Sequence, residues 1–305
     1  MFTQQHSQEE TIDAYRQWCA NTCGLSKQTQ KARVWLARRF LTFLAARSRP
    51  LSEVAAADID AFFTENACHW KRLTIRAVSG WLKAFLSYSA KAGWCAPSLE
   101  MVISAPRIYR QEGVPCHVPW ETVLGMLRTS AKDKSCRGLR NHAILMLLAL
   151  YGIRSSEVAG IQLKDMDWRK ETIFIARSKG GRTHTLPLSP AVGNAILRYI
   201  RKARHNESEE RTLFLGVRKP HKAITPAAVY NAAREALVQA GVKAAHLGPH
   251  CFRHSFATHL VNSGRSLKEV SEILGHRSIE STAVYAKVNL ATLRAVADMN
   301  WEIVL

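Results

Sequence analysis

Residues 104–120, SAPRIYRQEGVPCHVPW, limit more than any other stretch how this chain can fold. Pro106, Pro115 and Pro119 each lack a backbone donor, and each pushes the residue before it out of the α region. Charges and a glycine fill the intervals, and no hydrophobic period runs through them. Such a segment is a linker between two domains. A chain of 305 residues is long enough for two sizeable cores. The expected division is a domain over 1–107, a linker over 108–119 and a second domain over 120–305, with a C-terminal tail from about residue 288.

Before the linker the pattern is helical throughout. Ile12, Tyr15 and Cys19 recur at helical spacing. KQTQKARVWLARRFLTFLAARS follows with Val34, Leu41 and Phe43 among its apolar positions. LSEVAAADIDAFFTEN is expected to begin with Ser52 as N-cap, and KRLTIRAVSGWLKAFLSYSAKAG runs to a stop at Gly93. Trp18, Trp35 and Trp81 are assigned to the core of this bundle, and its outer Lys and Arg residues suit it to gripping DNA. After the linker the pattern is mixed. Helices are expected over 121–129, 138–151, 191–203, 226–240, the stretch from 248 to 260, 267–274 and 279–284. Between them, residues 172–176 are β-rich, SKGG is a turn, and RTHTLPL alternates. The fold class is thus mainly α, with a small antiparallel sheet in the second domain.

The chain carries a net charge of +19 and has a pI near 10.0. On a folded chain with 47% hydrophobic residues, so large an excess points to a polyanionic partner, nucleic acid ahead of an anionic membrane surface. The longest apolar run, 143–153, is too short to span a bilayer and ends on Arg154. MFTQQHSQEE has no apolar stretch of the signal-peptide type. Seven cysteines, odd in number and scattered, point to a reduced, cytoplasmic protein. Cys19 and Cys23 lie one helical turn apart, but no second ligand pair accompanies them, so they are read as packing residues and no metal or other cofactor is expected.

GPHCFRHSFATHL, residues 248–260, poses a chemical question. As a helix it places His250, Arg253 and His254 on one face near its start, and Phe252, Phe256, His259 and Leu260 on another, core-facing side. A helix N-terminus is electropositive, and a cation there costs about 0.3–1 kcal/mol. The same domain also holds Arg154 with Glu157 in YGIRSSEVAGI, Lys179 in RSKGGR, His276 in LGHRS, and Tyr285 nine residues later. Singly, each has an ordinary structural explanation. Together they are what metal-free phosphoryl transfer to a tyrosine requires. Two planar guanidiniums can each hold two phosphate oxygens. Imidazoles can donate to the phosphate or take the phenolic proton, and a lysine on a hairpin can protonate a leaving alkoxide. No carboxylate cluster for two-metal catalysis and no phosphate loop for ATP is seen.

In order and spacing, GIRSSE, SKGGRTHTLPL, HCFRHSFATHL and LGHRSIESTAVY resemble the tyrosine recombinase or phage integrase family, including its Xer-like and mobile-element members, over residues 118–288. The resemblance implies that Arg154 and Arg253 clamp the scissile phosphate and that Lys179 is the general acid. It implies further that His250 handles the nucleophile's proton, that His276 hydrogen-bonds the phosphate, and that Tyr285 forms a 3′-phosphotyrosyl bond. Glu157 would support the first arginine, and His254 is read as supporting structure. The departures are Ser178, where a glycine is common, and Cys251 with Phe252 at an interior pair that is often apolar. The family implies a two-domain clamp on double-stranded DNA with inverted-repeat half-sites. Four protomers would assemble into a synapse that passes through a Holliday junction, with no ATP and with the C-terminal tail docking on a neighbour. Integration and excision of a mobile element, or resolution of DNA dimers, is the expected use. The alternatives are a type IB topoisomerase-like enzyme that relaxes DNA, and a catalytically silent DNA-binding protein.

Overall fold

The computed structural model describes residues 7–107, 118–176, 183–205, 210–244 and 246–275. The chain forms two compact units, Met1–Glu112 and Gly113–Leu305.

Unit 1 is built of α1 (Gln8–Asn21), α2 (Lys27–Ala45), α3 (Ala56–Ala67), α4 (Arg72–Lys91) and the single turn α5 (Leu99–Val102). Ser7 starts α1 with a reciprocal cap. Its hydroxyl accepts from the Glu10 amide, and the Glu10 carboxylate accepts from the Ser7 amide. At α2 the cap is one-way, the Ser26 hydroxyl accepting from the Thr29 amide. Ile12 and Tyr15 of α1, Leu36, Phe40 and Leu44 of α2, Ile59 and Phe62 of α3, and Leu82 and Phe85 of α4 close one core. The Phe62 ring meets Phe40 and Phe43 edge-on, each at 5.2 Å between centroids.

Two expectations for this unit fail. Ser52 does not cap α3. Leu51–Glu53 form a 3-10 turn, Val54 is buried on extended backbone, and the helix starts at Ala56. Burying Val54 requires an extended residue where the helix would otherwise run. The Asp58 carboxylate then caps the start, accepting from the Ala55 amide at 2.9 Å. Nor are all three tryptophans core residues. Trp18 and Trp81 pack against the core, but Trp35 is 48% exposed.

Unit 2 holds α6 (Trp120–Ser130), α7 (Cys136–Tyr151), α8 (Ser155–Gly160), β1 (Met166–Asp167), β2 (Thr172–Ala176), β3 (Thr183–Pro187), α9 (Pro190–Lys202), α10 (Pro226–Gln239), α11 (Pro249–Asn262) and α12 (Leu267–Leu274). Residues 143–151 of the apolar run noted in the sequence form the later part of α7, and the run continues past its end to Ile153. Buried on nearly every side, as a helix apolar all round must be, it packs against α6, α9, α10 and α11. The three strands form an antiparallel sheet in the order β1-β2-β3, with Met166 opposite Ile173 and Ile173 opposite Leu186. Ile173, Ile175 and Leu186 point into the core, and Thr172, Phe174 and Ala176 point away from it, the two-residue alternation of a half-buried sheet. The molecule is therefore mainly helical with one small antiparallel sheet. No helix among the described residues is long and apolar enough to cross a membrane.

Candidate active site

The site is built around the end of α7. Gly152 closes that helix in the left-handed region at φ +58, and its amide reaches back to the Leu148 carbonyl. Two demands make this position a glycine. The backbone sign disfavours a side chain, and a Cβ would lie 2.8 Å from Leu274 Cδ2 and 2.9 Å from Phe256 Cδ1. Three elements, α7, α11 and α12, thus converge on one atom's worth of space. Ile153 is then buried, and the chain emerges extended at Arg154, the N-cap of α8.

Glu157, in the first turn of α8, holds that arginine twice. One carboxylate oxygen accepts from the Arg154 amide at 2.9 Å, and the other accepts from Nη1 at 2.9 Å. The Glu157 side chain has no solvent exposure, whereas 29% of the Arg154 side chain remains exposed. A buried carboxylate without its partner costs about 3–5 kcal/mol, so the pair is strongly mutually dependent. Its outcome is a guanidinium fixed in direction with one edge toward solvent.

Arg253 lies elsewhere than expected. It does not share an outer face with His250 and His254, but is buried, at 5% exposure. Its Nη1 donates to the Gly152 carbonyl at 2.6 Å and its Nη2 to the Leu274 carbonyl at 2.8 Å. Gly152 caps α7, and Leu274 is the last residue of α12. Both carbonyls sit at the electronegative ends of helices. The cation that its own helix start disfavours is therefore held by the C-termini of two others. This arrangement also ties together the chain segments that lead to Arg154 and to His276.

His250 sits in the first turn of α11, exposed on the surface. Crowding of the ring against the protein lowers its pKa below the ordinary imidazole value, and the positive charges of Arg253 and then Arg154 add to the effect. Both guanidiniums are therefore near enough to act on this imidazole. His254 is half-buried, its ring 6.3 Å from that of His250. His259 is partly buried and stacks on Trp120 at 4.2 Å, on the apolar side as expected. Gly248 lets α11 start against α10, since a Cβ there would be 2.6 Å from the Tyr230 ring.

Arg154, Glu157, His250, Arg253 and His254 are thus placed around the meeting point of α7, α8, α11 and α12. Lys179, His276 and Tyr285 lie outside the described residues. Sequence reasoning missed Gly152 and the two carbonyls that hold Arg253. The glycine was findable, because it directly follows a long apolar helical run, the position of a helix C-cap. The carbonyl partners were not, because backbone acceptors carry no residue-type signal. Among the described residues, no group of three or more His, Cys, Asp or Glu side chains could hold a metal ion.

Residues 121–291 match the model of the phage integrase family. An integrase/recombinase homologue of Sinorhizobium fredii (strain NBRC 101917 / NGR234) is 31% identical over 291 residues, 95% of this chain and 70% of its own length. The tyrosine recombinase XerC of Mycobacterium bovis (strain BCG / Pasteur 1173P2) is 28% identical, covering 94% of this chain and 97% of that protein. The crystal structure of the XerH site-specific recombinase, bound to a palindromic difH substrate in a post-cleavage complex, superimposes with a TM-score of 0.74. It is 20% identical, and the match covers 95% of this chain and 85% of that one. The family match alone takes in more than half of the chain, including Arg154, Glu157, the whole of α11 and the sequence positions of Lys179, His276 and Tyr285. The chain therefore belongs to the phage integrase family, the tyrosine-type site-specific recombinases.

Proposed function

We propose that this recombinase cleaves and rejoins duplex DNA through Tyr285, using Arg154, Arg253, His250, His276 and Lys179 around one scissile phosphate. The observation that carries the assignment is the preparation of two guanidiniums. Arg253 is pinned by two helix-end carbonyls and Arg154 by a buried carboxylate, with an imidazole of lowered pKa beside them. Donors fixed before the substrate arrives stabilise charge developing on the non-bridging oxygens without having to reorganise. A lowered pKa leaves His250 neutral near pH 7 and able to accept a proton.

In the forward step the Tyr285 phenolic oxygen attacks phosphorus and its proton passes to His250. A 3′-phosphotyrosyl bond forms, the bond from phosphorus to the 5′-oxygen breaks, and Lys179 protonates the leaving 5′-oxygen. Attack by the 5′-hydroxyl of a partner strand reverses each transfer and frees the tyrosine. The phosphodiester energy is held in the covalent bond, so no nucleotide is consumed. Unit 1 and unit 2 would clamp a half-site, with a homotetramer on two inverted-repeat sites and a Holliday junction between the two exchanges. XerH in its solved complex is bound to a palindromic difH substrate after cleavage and lambda integrase (residues 75–356) to DNA, which supports DNA as the partner here.

The experiment is capture on a nicked duplex, using DNA recovered with the protein as the source of sequence. The expected result is an SDS-stable protein–DNA adduct that is absent in Tyr285→Phe. No adduct with the wild-type chain would remove the catalytic assignment. Adduct formation without strand exchange between two labelled duplexes would instead favour DNA relaxation.

A further inference from the structure

Trp35 stands out among the large apolar side chains of unit 1, because it is 48% exposed in the middle of a long helix whose other face is core. An exposed indole normally samples several rotamers. This one is braced. The Arg39 guanidinium carbon lies over the Trp35 ring, 5.7 Å from its centroid, and over the Trp70 ring, also at 5.7 Å, so one cation contacts both. Arg39 is fixed in turn by Asn66, whose Oδ1 accepts from Nε at 3.1 Å and from Nη2 at 2.5 Å. Asn66 is buried, and its Nδ2 donates to the Phe62 carbonyl at 2.7 Å. A chain of contacts thus runs from the core of α3 to an aromatic ring at the surface.

The ring also stands between two grooves. Arg16, Lys27, Lys31 and Arg38 line one, and Arg38, Arg39 and Arg47 line the other. Three of these cations are partly neutralised: Arg38 by Glu9 at 2.9 Å, Arg16 by Asp13 and Arg47 by Glu65. Lys27 and Lys31 have no carboxylate partner among the described residues, and α2 contains no acidic residue at all. A rigid aromatic ridge with a cation-lined trough on either side complements a polyanion that presents flat apolar surface between rows of phosphates.

We propose that Trp35 is a DNA-contacting residue of unit 1, its ring placed against the base or sugar edges of a duplex while Lys27 and Lys31 meet phosphates. This rests on the reading that the chain acts on duplex DNA, and it names the part of unit 1 that does so. Aromatic contact is insensitive to salt, whereas each lysine–phosphate contact releases a counterion. The two kinds of contact therefore separate in one experiment.

The test measures affinity of the full chain for a short fluorescein-labelled mixed-sequence duplex by anisotropy across a salt series. Trp35→Ala is expected to weaken binding about tenfold at every salt concentration without changing the slope of log affinity against log salt. Trp35→Phe should retain most of the affinity. Lys31→Ala should reduce the slope by about 1. DNA should also quench tryptophan fluorescence less in Trp35→Phe than in the wild type, a readout that does not depend on affinity. Affinity within twofold of wild type in Trp35→Ala, with equal quenching in Trp35→Phe, would overturn the assignment. So would a change in self-association of the DNA-free Trp35→Ala chain with unchanged DNA binding, which would mark the face as a contact between proteins. Adduct formation by the wild-type chain is scored separately, so loss of the Trp35 assignment and loss of the catalytic reading are distinguishable.

Discussion

At the scale of single residues, the site depends on groups that hold arginines as much as on the arginines themselves. Glu157→Gln keeps the volume and can still accept from the Arg154 amide, but it turns an amide nitrogen or a neutral oxygen toward a guanidinium that now lacks its counter-charge. Misplacing that guanidinium by an ångström should lower the cleavage rate on the order of 10²-fold with DNA affinity little changed, as measured by single-turnover adduct formation at saturating protein. Gly152→Ala meets both a left-handed backbone and a contact under 3 Å. The two together should destabilise unit 2 by about 2–4 kcal/mol, read from urea unfolding. His250 gives a prediction about pH. Its pKa lies below the ordinary value, and the base role proposed for it requires the unprotonated ring, so on that reading the rate should fall as pH falls through that pKa. The acid limb of the cleavage profile for free enzyme and DNA should therefore lie below about pH 6.5, and His250→Asn should lack it. At this scale the family was legible in the sequence, because the residue types and spacing around Arg154, His250 and Arg253 carry its pattern. The direction in which Arg253 points was not. Helical projection put it beside His250, yet its guanidinium turns inward to the helix-end carbonyls of Gly152 and Leu274, partners that no spacing rule encodes.

At the scale of elements, periodicity located most helices to within a residue or two, as at α10 and α12, because their apolar stripes face cores that the same pattern builds. It failed where a neighbour overrides the local signal. Ser52 lost its capping role because Val54 has to be buried, and α8 is too short to show a period. Trp35 was misassigned because residue type alone cannot tell a packed indole from one braced at the surface by Arg39. The joint between α6 and α7 carries a measurable consequence. His142 of α7 is buried, its Nδ1 lies 2.8 Å from the Ser130 hydroxyl at the end of α6, and burial, followed by the charges of Arg198 and Lys134, lowers its pKa. The unfolded chain then binds a proton more readily than the folded one. Stability should be unaffected above the unfolded value near 6.5 and should fall as pH drops through and below it. Urea unfolding at pH 7.5 and pH 5.5 should show that loss in the wild type and a smaller one in His142→Gln. Equal losses would place the acid sensitivity elsewhere.

At the scale of the whole molecule, the described core residues of unit 1 and of unit 2 fall into separate clusters that share no member. Separate cores of this size lead to the expectation that each unit can fold by itself. Binding behaves differently. If both units contact the same duplex, the first to bind raises the effective concentration of the second, and the joined chain binds more tightly than either part without any added contact. A protease site inserted between residues 108 and 117 isolates that effect. After cutting, each fragment should keep its own cooperative unfolding transition, while affinity for a duplex should fall by about 10²-fold or more. The slope of log affinity against log salt for each fragment should also be shallower than for the intact chain, because each then neutralises only its own share of the phosphates. If cutting left affinity unchanged, one unit would carry all the binding. If that unit were unit 2, the basic face around Trp35 would need a partner other than DNA.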